Sequence, residues 1–298
     1  MDATGKRNPS IEDVILEQDK RGISALRPFL PADYCQEAAR WVMAQPAPAK
    51  KSAIITTGFY ILSWQVPETD GPPGAVALGR GLHELGFEVF YVTDHYCLSS
   101  LDLGGEQKGE VIEFPIADHE KSAQFAQHLL SEIRPTVVLS TERCGATENG
   151  LYLNMRGKDI SDFTAKVDYL FPATAQNTLG IGDGGNEIGM GKLAAQIRKT
   201  PGLPDDPAVT PTNQLIIASV SNWGAYGLLA ALSLICQQDL VPSAEWEEAL
   251  LQELHSRGVV DGITGEKTGT VDTFGSEQNA EIINRLKQIV NSNIRSES

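Results

Sequence analysis

Short apolar runs alternate with helix-like stretches along most of the chain. The runs are rich in β-branched and aromatic residues, whereas the stretches between them repeat apolar positions every three or four residues. The predicted strands cover residues 52–60, 88–93, 111–116, 136–141, 178–181 and 214–220, and the predicted helices cover 75–85, 120–133, 186–198 and 223–237. This order predicts an α/β fold with a mostly parallel, doubly wound (Rossmann-like) sheet and helices on both faces, because parallel neighbours need long crossover connections.

The residues before the first strand follow a different pattern. Residues 10–45 mix apolar and charged positions at helical spacing, and Pro28 and Pro31 separate two helical pieces. The polar, proline-containing stretch 45–51 is typical of a short connection. We therefore expect an N-terminal helical lead-in over residues 1–50 and an α/β catalytic domain over residues 51–298.

Composition narrows the class of partner. The 298 residues carry 39 acidic and 24 basic side chains, a formal charge of −15, which disfavours nucleic acid and anionic membranes as partners. The four cysteines form no CxxC pair, the N-terminus lacks a secretory apolar core, and the longest apolar stretch, 223–236, is too short to span a membrane. These features predict a soluble cytoplasmic protein with a small-molecule substrate, and they leave a homo-oligomer open.

Polar residues follow nearly every predicted strand. In open parallel sheets ligands bind beyond the carboxyl ends of the strands, so these residues are expected to share one edge. The residues that follow the strands include Asp70, Asp94, Glu142, Arg143, Asp183, Glu187 and Asn222. So many carboxylates and amides at one edge predict a polar site that holds a cation.

The segment 181–192, IGDGGNEIGMGK, is the strongest local signal. Its glycines allow a close backbone approach to a ligand, and Asp183 and Glu187 bracket Asn186. It matches neither GxxxxGK[ST] nor GxGxxG, and two carboxylates would repel a phosphate without a metal. The alternative is a strand-to-helix turn in which Asp183 or Asn186 caps a helix, but a cap explains only one of the three polar residues.

Three further positions each allow a functional and a structural interpretation. Asp70, in the loop 68–74, is a metal ligand or a solvent-facing loop residue, while free N–H groups of the following helix can hold a substrate anion. Arg143 clamps a substrate carboxylate or forms an internal ion pair, and Glu142 beside it is the better catalytic candidate. Asp94 and Asn222 are either ligands or helix caps.

Several reaction classes find no support in the motifs. The five histidines show no HExxH or paired spacing, which disfavours a zinc protease, and no GxSxG elbow is present. A site rich in oxygen ligands and poor in histidine favours Mn²⁺ or Mg²⁺ over zinc or copper.

The segments PETDGPPGA, ER at 142–143, YLNMRG, IGDGGNEIGMG and VSNWGAYG, in this order, resemble the D-glutamate cyclase family from about Gly22 to about Asp272. The resemblance implies a lyase that converts D-glutamate to 5-oxo-D-proline and water. The family also includes relatives described as manganese-dependent phosphatases, and in the fused animal cyclases this region follows a hydro-lyase-like domain. Thr273 stands where the resemblance leads us to expect a glycine, which argues against a contribution from Asp272.

Chemistry and resemblance together give one set of expected roles. Activating a carboxylate toward an amine calls for a cation on its oxygens. The expected metal ligands are Asp183, Glu187, Asp94 and Asp70; the catalytic residues are Glu142, Arg143 and Asn186; and the substrate-binding residues are Thr69, Gly71, Gly74, Gly184, Gly185 and Asn222. The alternatives are a manganese-dependent phosphatase and a non-catalytic, metal-dependent small-molecule sensor.

Overall fold

Eight strands and eight α-helices are present in the computed structural model, which describes residues 9–46, 50–101, 103–105 and 107–294. The strands are β1 (Lys51–Thr56), β2 (Tyr60–Ile61), β3 (Val66–Pro67), β4 (Phe87–Thr93), β5 (Glu110–Glu113), β6 (Val137–Thr141), β7 (Thr178–Gly182) and β8 (Gln214–Ile217). The helices are α1 (Ile11–Ile15), α2 (Tyr34–Ala44), α3 (Pro72–Glu84), α4 (His119–Ile133), α5 (Ala194–Ile197), α6 (Ser221–Cys236), α7 (Ala244–Ser256) and α8 (Ser276–Asn291).

Six of these strands form one fully parallel sheet in the order β5-β4-β1-β6-β7-β8. Counted in chain order these six run 3-2-1-4-5-6, which is the Rossmann order. The chain winds outward from β1 to β5 on one side and then crosses to β6 on the other. The order therefore reverses between β1 and β6, and a crevice opens at their carboxyl ends. The other two strands, β2 and β3, form a separate antiparallel hairpin between β1 and α3.

The sheet is buried on both faces. Ala53 and Ile55 of β1 pack into a large apolar cluster with α3 and α6, whereas Ile54 packs on the opposite face with α4. Alternate residues of one strand thus enter two cores, which explains why the strands appear as continuous apolar runs. The predicted doubly wound α/β fold is confirmed.

The N-terminal helices pack onto this core. Ile15 of α1 and Ala38 of α2 belong to the same apolar cluster as α6, and between the two helices residues 23–29 form a 3₁₀ helix. The predicted connection 45–51 falls partly on residues 47–49, which lie outside the described residues. None of the helices in the described ranges combines the length and the hydrophobicity that a membrane span requires.

Two predicted elements are much shorter in the structure than in the prediction. The strand predicted over 52–60 stops at Thr56, because Gly58, with a φ of 102°, turns the chain toward the β2–β3 hairpin. The helix predicted over 186–198 is mostly absent: Gly185 and Gly189 have φ values of 99° and 105°, and only the short α5 forms. The positive φ angles there exclude a helix.

A buried acid in the core gives a test of the packing between α6 and α7. Glu247 is 2% exposed and accepts a hydrogen bond from the Tyr226 hydroxyl at 2.8 Å. Burial raises the pKa of Glu247 from 4.5 to about 7. The unfolded chain loses this proton near pH 4.5, whereas the folded chain keeps it until about pH 7. The stability that Glu247 contributes at low pH is therefore lost as the pH rises from about 4.5 to about 7.

We expect Glu247→Gln to flatten the pH dependence of unfolding, because an amide keeps the Tyr226 contact but does not ionise. Between pH 5 and 8 the free energy of unfolding of the native chain should fall, relative to the variant, by at most about 3 kcal/mol. Urea unfolding at four pH values measures this difference, with the exposed neighbour substitution Glu248→Gln as control. Equal pH dependence in native and Glu247→Gln proteins would contradict the assignment.

Candidate active site

Three carboxylates converge where the strand order reverses. Glu142 follows β6, Asp183 follows β7, and Asp70 lies between β3 and α3. One oxygen of each side chain lies within 4.8 Å of an oxygen of each of the other two, and all three residues are buried. These residues are called the carboxylate triad below.

Asp70 is held by the amino end of α6. Its Oδ2 accepts a hydrogen bond from the Ser221 N–H at 2.9 Å, and its Oδ1 accepts one from the Asn222 N–H at 2.8 Å. In return, Asn222 Oδ1 accepts hydrogen bonds from the N–H groups of Gly71 (3.0 Å) and Gly74 (2.8 Å) at the start of α3. Asp70, just before α3, thus caps α6, and Asn222 in the first turn of α6 caps α3, so the two amino ends are fixed beside the triad.

Glu142 reaches the triad through an unusual backbone conformation. Its φ is 43°, a left-handed value that is uncommon outside glycine, and its Oε2 accepts a hydrogen bond from the Ser221 hydroxyl at 2.6 Å. Gly71 lies against it: a Cβ on Gly71 would lie 2.7 Å from the Cβ of Glu142 and from Thr57 Oγ1. The close approach of the two loops therefore requires a glycine at position 71.

The third carboxylate, Asp183, pairs with an arginine from the N-terminal lead-in. Arg21 contacts Asp183 through Nη1 and lies 2.7 Å from Asp272 through Nη2. The Asp19 carboxylate accepts hydrogen bonds from the backbone of Arg21, Gly22 and Ser24, which fixes the turn that presents Arg21. Asp272, like Glu142, has a left-handed φ, of 52°.

The glycine-rich loop after β7 folds around its own glutamate. Glu187 accepts hydrogen bonds from the N–H groups of Gly184 (2.9 Å) and Gly185 (2.8 Å), so these donors and this carboxylate satisfy one another. Asn186 donates from Nδ2 to the Leu153 carbonyl at 3.0 Å, which orients the amide, and its buried Oδ1 has no hydrogen-bond partner in the described part of the chain. Asn186 thus has an acceptor available to a ligand.

Asp94 and Arg143 form a separate buried ion pair, 2.5 Å between Oδ2 and Nη2. Arg143 also donates to the carbonyls of Gly58 and Ala165, and Asp94 accepts from the N–H groups of Tyr96 and Ala165. Both residues therefore bind partners within the chain. Arg143 forms the internal ion pair that was its structural alternative, and Asp94 caps the turn at Tyr96.

The other residues predicted to bind substrate also have hydrogen-bond partners within the chain. Thr69 donates its N–H to the Val260 carbonyl at 2.8 Å and its hydroxyl to the Thr270 carbonyl at 2.9 Å. The N–H groups of Gly71, Gly74, Gly184 and Gly185 are bonded to side chains, as described above. Of the expected metal ligands the structure brings Asp70 and Asp183 together, adds Glu142 to them, and places Asp94 and Glu187 with other partners.

A cleft of about 360 Å³ reaches this cluster at Glu142, the triad residue that lines it. Its polar base includes Arg21, Glu68, Glu142 and Asn186, and its apolar wall comes from the β2–β3 hairpin and the residue before it, Phe59. Glu68 is buried, and its carboxylate accepts no hydrogen bond from another residue in the described ranges. Arg21 and Ser221 were not among the site residues expected from the sequence.

The carboxylates of this region hold their protons more tightly than usual. Burial raises the pKa of Asp70 to about 7, and the charge of Asp272 adds to the shift. Burial also raises the pKa of Glu142 well above its usual range, assisted by Glu187, and it does the same for Asp183 although Arg21 opposes the shift. Negative charge is thus concentrated beyond what Arg21 neutralises.

This donor set fits a divalent cation. Ca²⁺ and Mg²⁺ bind carboxylate oxygens at about 2.0–2.6 Å, so oxygens around one ion lie at most about 4–5 Å apart. The three triad oxygens satisfy that limit. Carboxylates alone, without histidine or cysteine, match a hard cation such as Mg²⁺ or Mn²⁺.

Residues 11–287 match the family model described as D-glutamate cyclase-like, C-terminal. The matched range contains Arg21 and the whole carboxylate triad. The chain belongs to this family. The motif resemblance, which began at about Gly22, is confirmed and extends further at both ends.

This family member has a curated relative in Homo sapiens, named D-glutamate cyclase, mitochondrial, which is 34% identical over 203 residues. The alignment covers 62% of this chain and 33% of the human protein, so the chain spans about a third of that relative's length. Among solved structures, a putative oxidoreductase from Escherichia coli str. K-12 is 10% identical with a TM-score of 0.29, covering 82% of this chain and 92% of the other. A similarity this low supports no statement about fold or function.

Proposed function

We propose that this chain converts D-glutamate to 5-oxo-D-proline and water with the help of a divalent cation, Mn²⁺ or Mg²⁺. The observation that carries the proposal is the carboxylate triad, whose member Glu142 lines a cleft, in a chain that belongs to the D-glutamate cyclase-like family. The human relative supports the choice of substrate, although it is three times longer than the matched region.

The triad residues Asp70, Glu142 and Asp183 would hold the cation. A carboxylate is a poor electrophile, and a bound divalent cation supplies a Lewis acid that neutralises the charge on the γ-carboxylate of the substrate. Ser221 fixes the position of Glu142, and the amino end of α6 fixes that of Asp70. Both ligands are thereby preorganised, so little reorganisation is needed when substrate binds.

Glu68 is placed to accept the proton of the substrate ammonium. It lines the cleft, it is buried, and its carboxylate has no hydrogen-bond donor among the described residues. Asn186 Oδ1, also unpartnered, can accept a second N–H of the amine and orient its lone pair toward the γ-carbon. Glu142, expected from the sequence to be a catalytic residue, is in this assignment a ligand of the cation, and Glu68 transfers the proton instead.

The atoms balance as an intramolecular condensation. The amine nitrogen bonds to the γ-carbon, and one carbon–oxygen bond breaks. Of the three ammonium protons, one stays on the lactam nitrogen and two leave with the oxygen as water, the first of them through Glu68. The negative charge of the γ-carboxylate and the positive charge of the ammonium disappear together, so the product keeps only the charge of its α-carboxylate.

The test is a product assay with three substrates. Purified protein stripped with EDTA is incubated with D-glutamate, L-glutamate and p-nitrophenyl phosphate, with and without Mn²⁺, and 5-oxoproline and nitrophenol are followed together. We expect Mn²⁺-dependent 5-oxoproline from D-glutamate only. Nitrophenol without 5-oxoproline would replace the proposal with a phosphatase, and neither product would point to a binding protein such as a sensor.

A further inference from the structure

Two cationic side chains line the cleft together with its apolar wall. Arg156 and Lys158 both lie in the turn 154–158, both line the cleft, and both are exposed. Neither forms an ion pair with any of the residues that the structure describes. Both cations are therefore free to meet an anion in the cleft.

Hydrogen bonds from the Asn154 side chain and backbone hold the turn in shape. Asn154 Oδ1 accepts hydrogen bonds from the N–H groups of Arg156 and Lys158, both at 3.0 Å. The Asn154 N–H donates to the Lys158 carbonyl at 3.0 Å, and Gly157 has the left-handed φ, 68°, that closes the turn. The backbone carrying the two cations is therefore fixed.

The same turn is docked on the glycine-rich loop of the site. Leu153 accepts the hydrogen bond from Asn186, and Met155 lies against Gly184, where a Cβ would meet its Sδ at 2.5 Å. Gly184 thus admits the turn to the loop that carries Asp183. The position of the two cations is set relative to the triad through these contacts.

A substrate with two carboxylates needs an anion site as well as a cation site. The anion-binding groups that sequence analysis favoured are occupied, because Arg143 is bonded to Asp94 and the amino end of α3 is bonded to Asn222. Arg21 is shared between Asp183 and Asp272. Arg156 and Lys158 are the cleft-lining cations in the described ranges that remain available to a ligand.

We propose that Arg156 and Lys158 form an anion subsite that binds the α-carboxylate of the substrate while its γ-carboxylate lies at the triad. The inference rests on the proposed function and deepens it, because it assigns the two carboxylates of the substrate to two different groups of side chains in the cleft. An arginine and a lysine side by side suit one carboxylate, the arginine through two parallel N–H groups.

The experiment uses a dicarboxylate that cannot cyclise. Glutarate binding to the Mn²⁺-loaded protein is measured by calorimetry for the native chain, for Arg156→Gln/Lys158→Gln and for Arg156→Lys. The control is Lys199→Gln/Lys267→Gln, the same change of charge at two exposed lysines outside the cleft. The KM and kcat for D-glutamate are measured on the same four proteins.

We expect the double substitution to weaken glutarate binding and raise KM about 10- to 100-fold, because charge-assisted hydrogen bonds are lost, with kcat changed less than threefold. Arg156→Lys should recover part of the affinity, and the control pair should bind like the native chain. Native-like glutarate binding in the double variant, an equal loss in the control pair, or no measurable binding of glutarate to the Mn²⁺-loaded native chain would each overturn the subsite. Absence of 5-oxoproline from the native chain would instead refute the proposed function, which the binding measurement does not require.

Discussion

Replacing Asp183 with asparagine is expected to abolish cyclisation, with a loss on the order of 10³-fold or more in kcat/KM for D-glutamate. Asparagine keeps the shape of the side chain but removes one of the three charges that would hold the cation. Binding of Mn²⁺ should weaken in parallel. Activity followed by 5-oxoproline formation and Mn²⁺ binding followed by calorimetry measure the two effects.

The same substitution should leave the metal-free protein at least as stable as the native chain. Burial and the charges of Glu142, Asp272 and Asp70 raise the pKa of Asp183, and they outweigh the opposite effect of Arg21. Removing its charge therefore relieves repulsion, and we expect the free energy of unfolding at pH 7.5 to rise by about 1 kcal/mol. The control is Asp162→Asn, the same change at an exposed position. Retained activity, or a large loss of stability, would contradict a functional role for Asp183.

Replacing Arg21 with glutamine is expected to have the opposite effect on stability. Arg21 is the cation that contacts Asp183 and Asp272, and its side chain is 21% exposed. Loss of one partner of a buried ion pair typically costs about 3–5 kcal/mol, and partial exposure lowers our expectation to about 2–3 kcal/mol for the metal-free protein. Saturating Mn²⁺ should restore much of this loss, because the ion neutralises the same carboxylates.

Two further variants separate the effect of charge from the effect of side-chain shape at position 21. Arg21→Lys keeps the charge and should retain more stability than Arg21→Gln, and adding Asp272→Asn to Arg21→Gln should recover part of the loss by removing an uncompensated carboxylate. Thermal unfolding of the four proteins with and without Mn²⁺ gives the comparison. An equal loss for Arg21→Gln with and without the ion would mean that Arg21 only packs the lead-in.

Most of the sheet could be predicted from the sequence. Runs such as TVVLST, buried on both faces, alternate with amphipathic stretches, and that pattern belongs to parallel sheets with few exceptions. The pattern failed at residues 186–198, where helical spacing of apolar residues continues through Gly189. Periodicity shows which positions are apolar but not which backbone angles they adopt. In this segment the positive φ angles of the glycines exclude a helix.

The edge that carries the site was also predictable, since carboxyl ends of parallel strands meet. The pairs that these polar residues form with one another could not be predicted. Asp94 and Arg143 are 49 positions apart, and only the parallel packing of their strands brings them into a pair. Glu187 resembles a ligand in the sequence, yet it accepts the N–H groups of the glycines before it, a local contact that the spacing alone does not reveal.

Arg21 could not have been found from motif spacing. It lies 162 positions before Asp183, in a lead-in that shows only helical periodicity, and the motifs that carried the resemblance begin after it. The one available signal was chemical: a cluster of buried carboxylates must include a cation. In the sequence, Thr273 argued against a contribution from Asp272. In the structure, Asp272 nevertheless pairs with Arg21.

The most direct test of the account measures Mn²⁺ occupancy and 5-oxoproline formation on the same samples. Electron paramagnetic resonance gives free and bound Mn²⁺ as the ion is added to stripped native protein, and the rate with D-glutamate is recorded at each point. The account predicts one ion per chain and a rate proportional to its occupancy, with neither in Asp183→Asn. A full rate of 5-oxoproline formation in EDTA, with no bound ion, would contradict it.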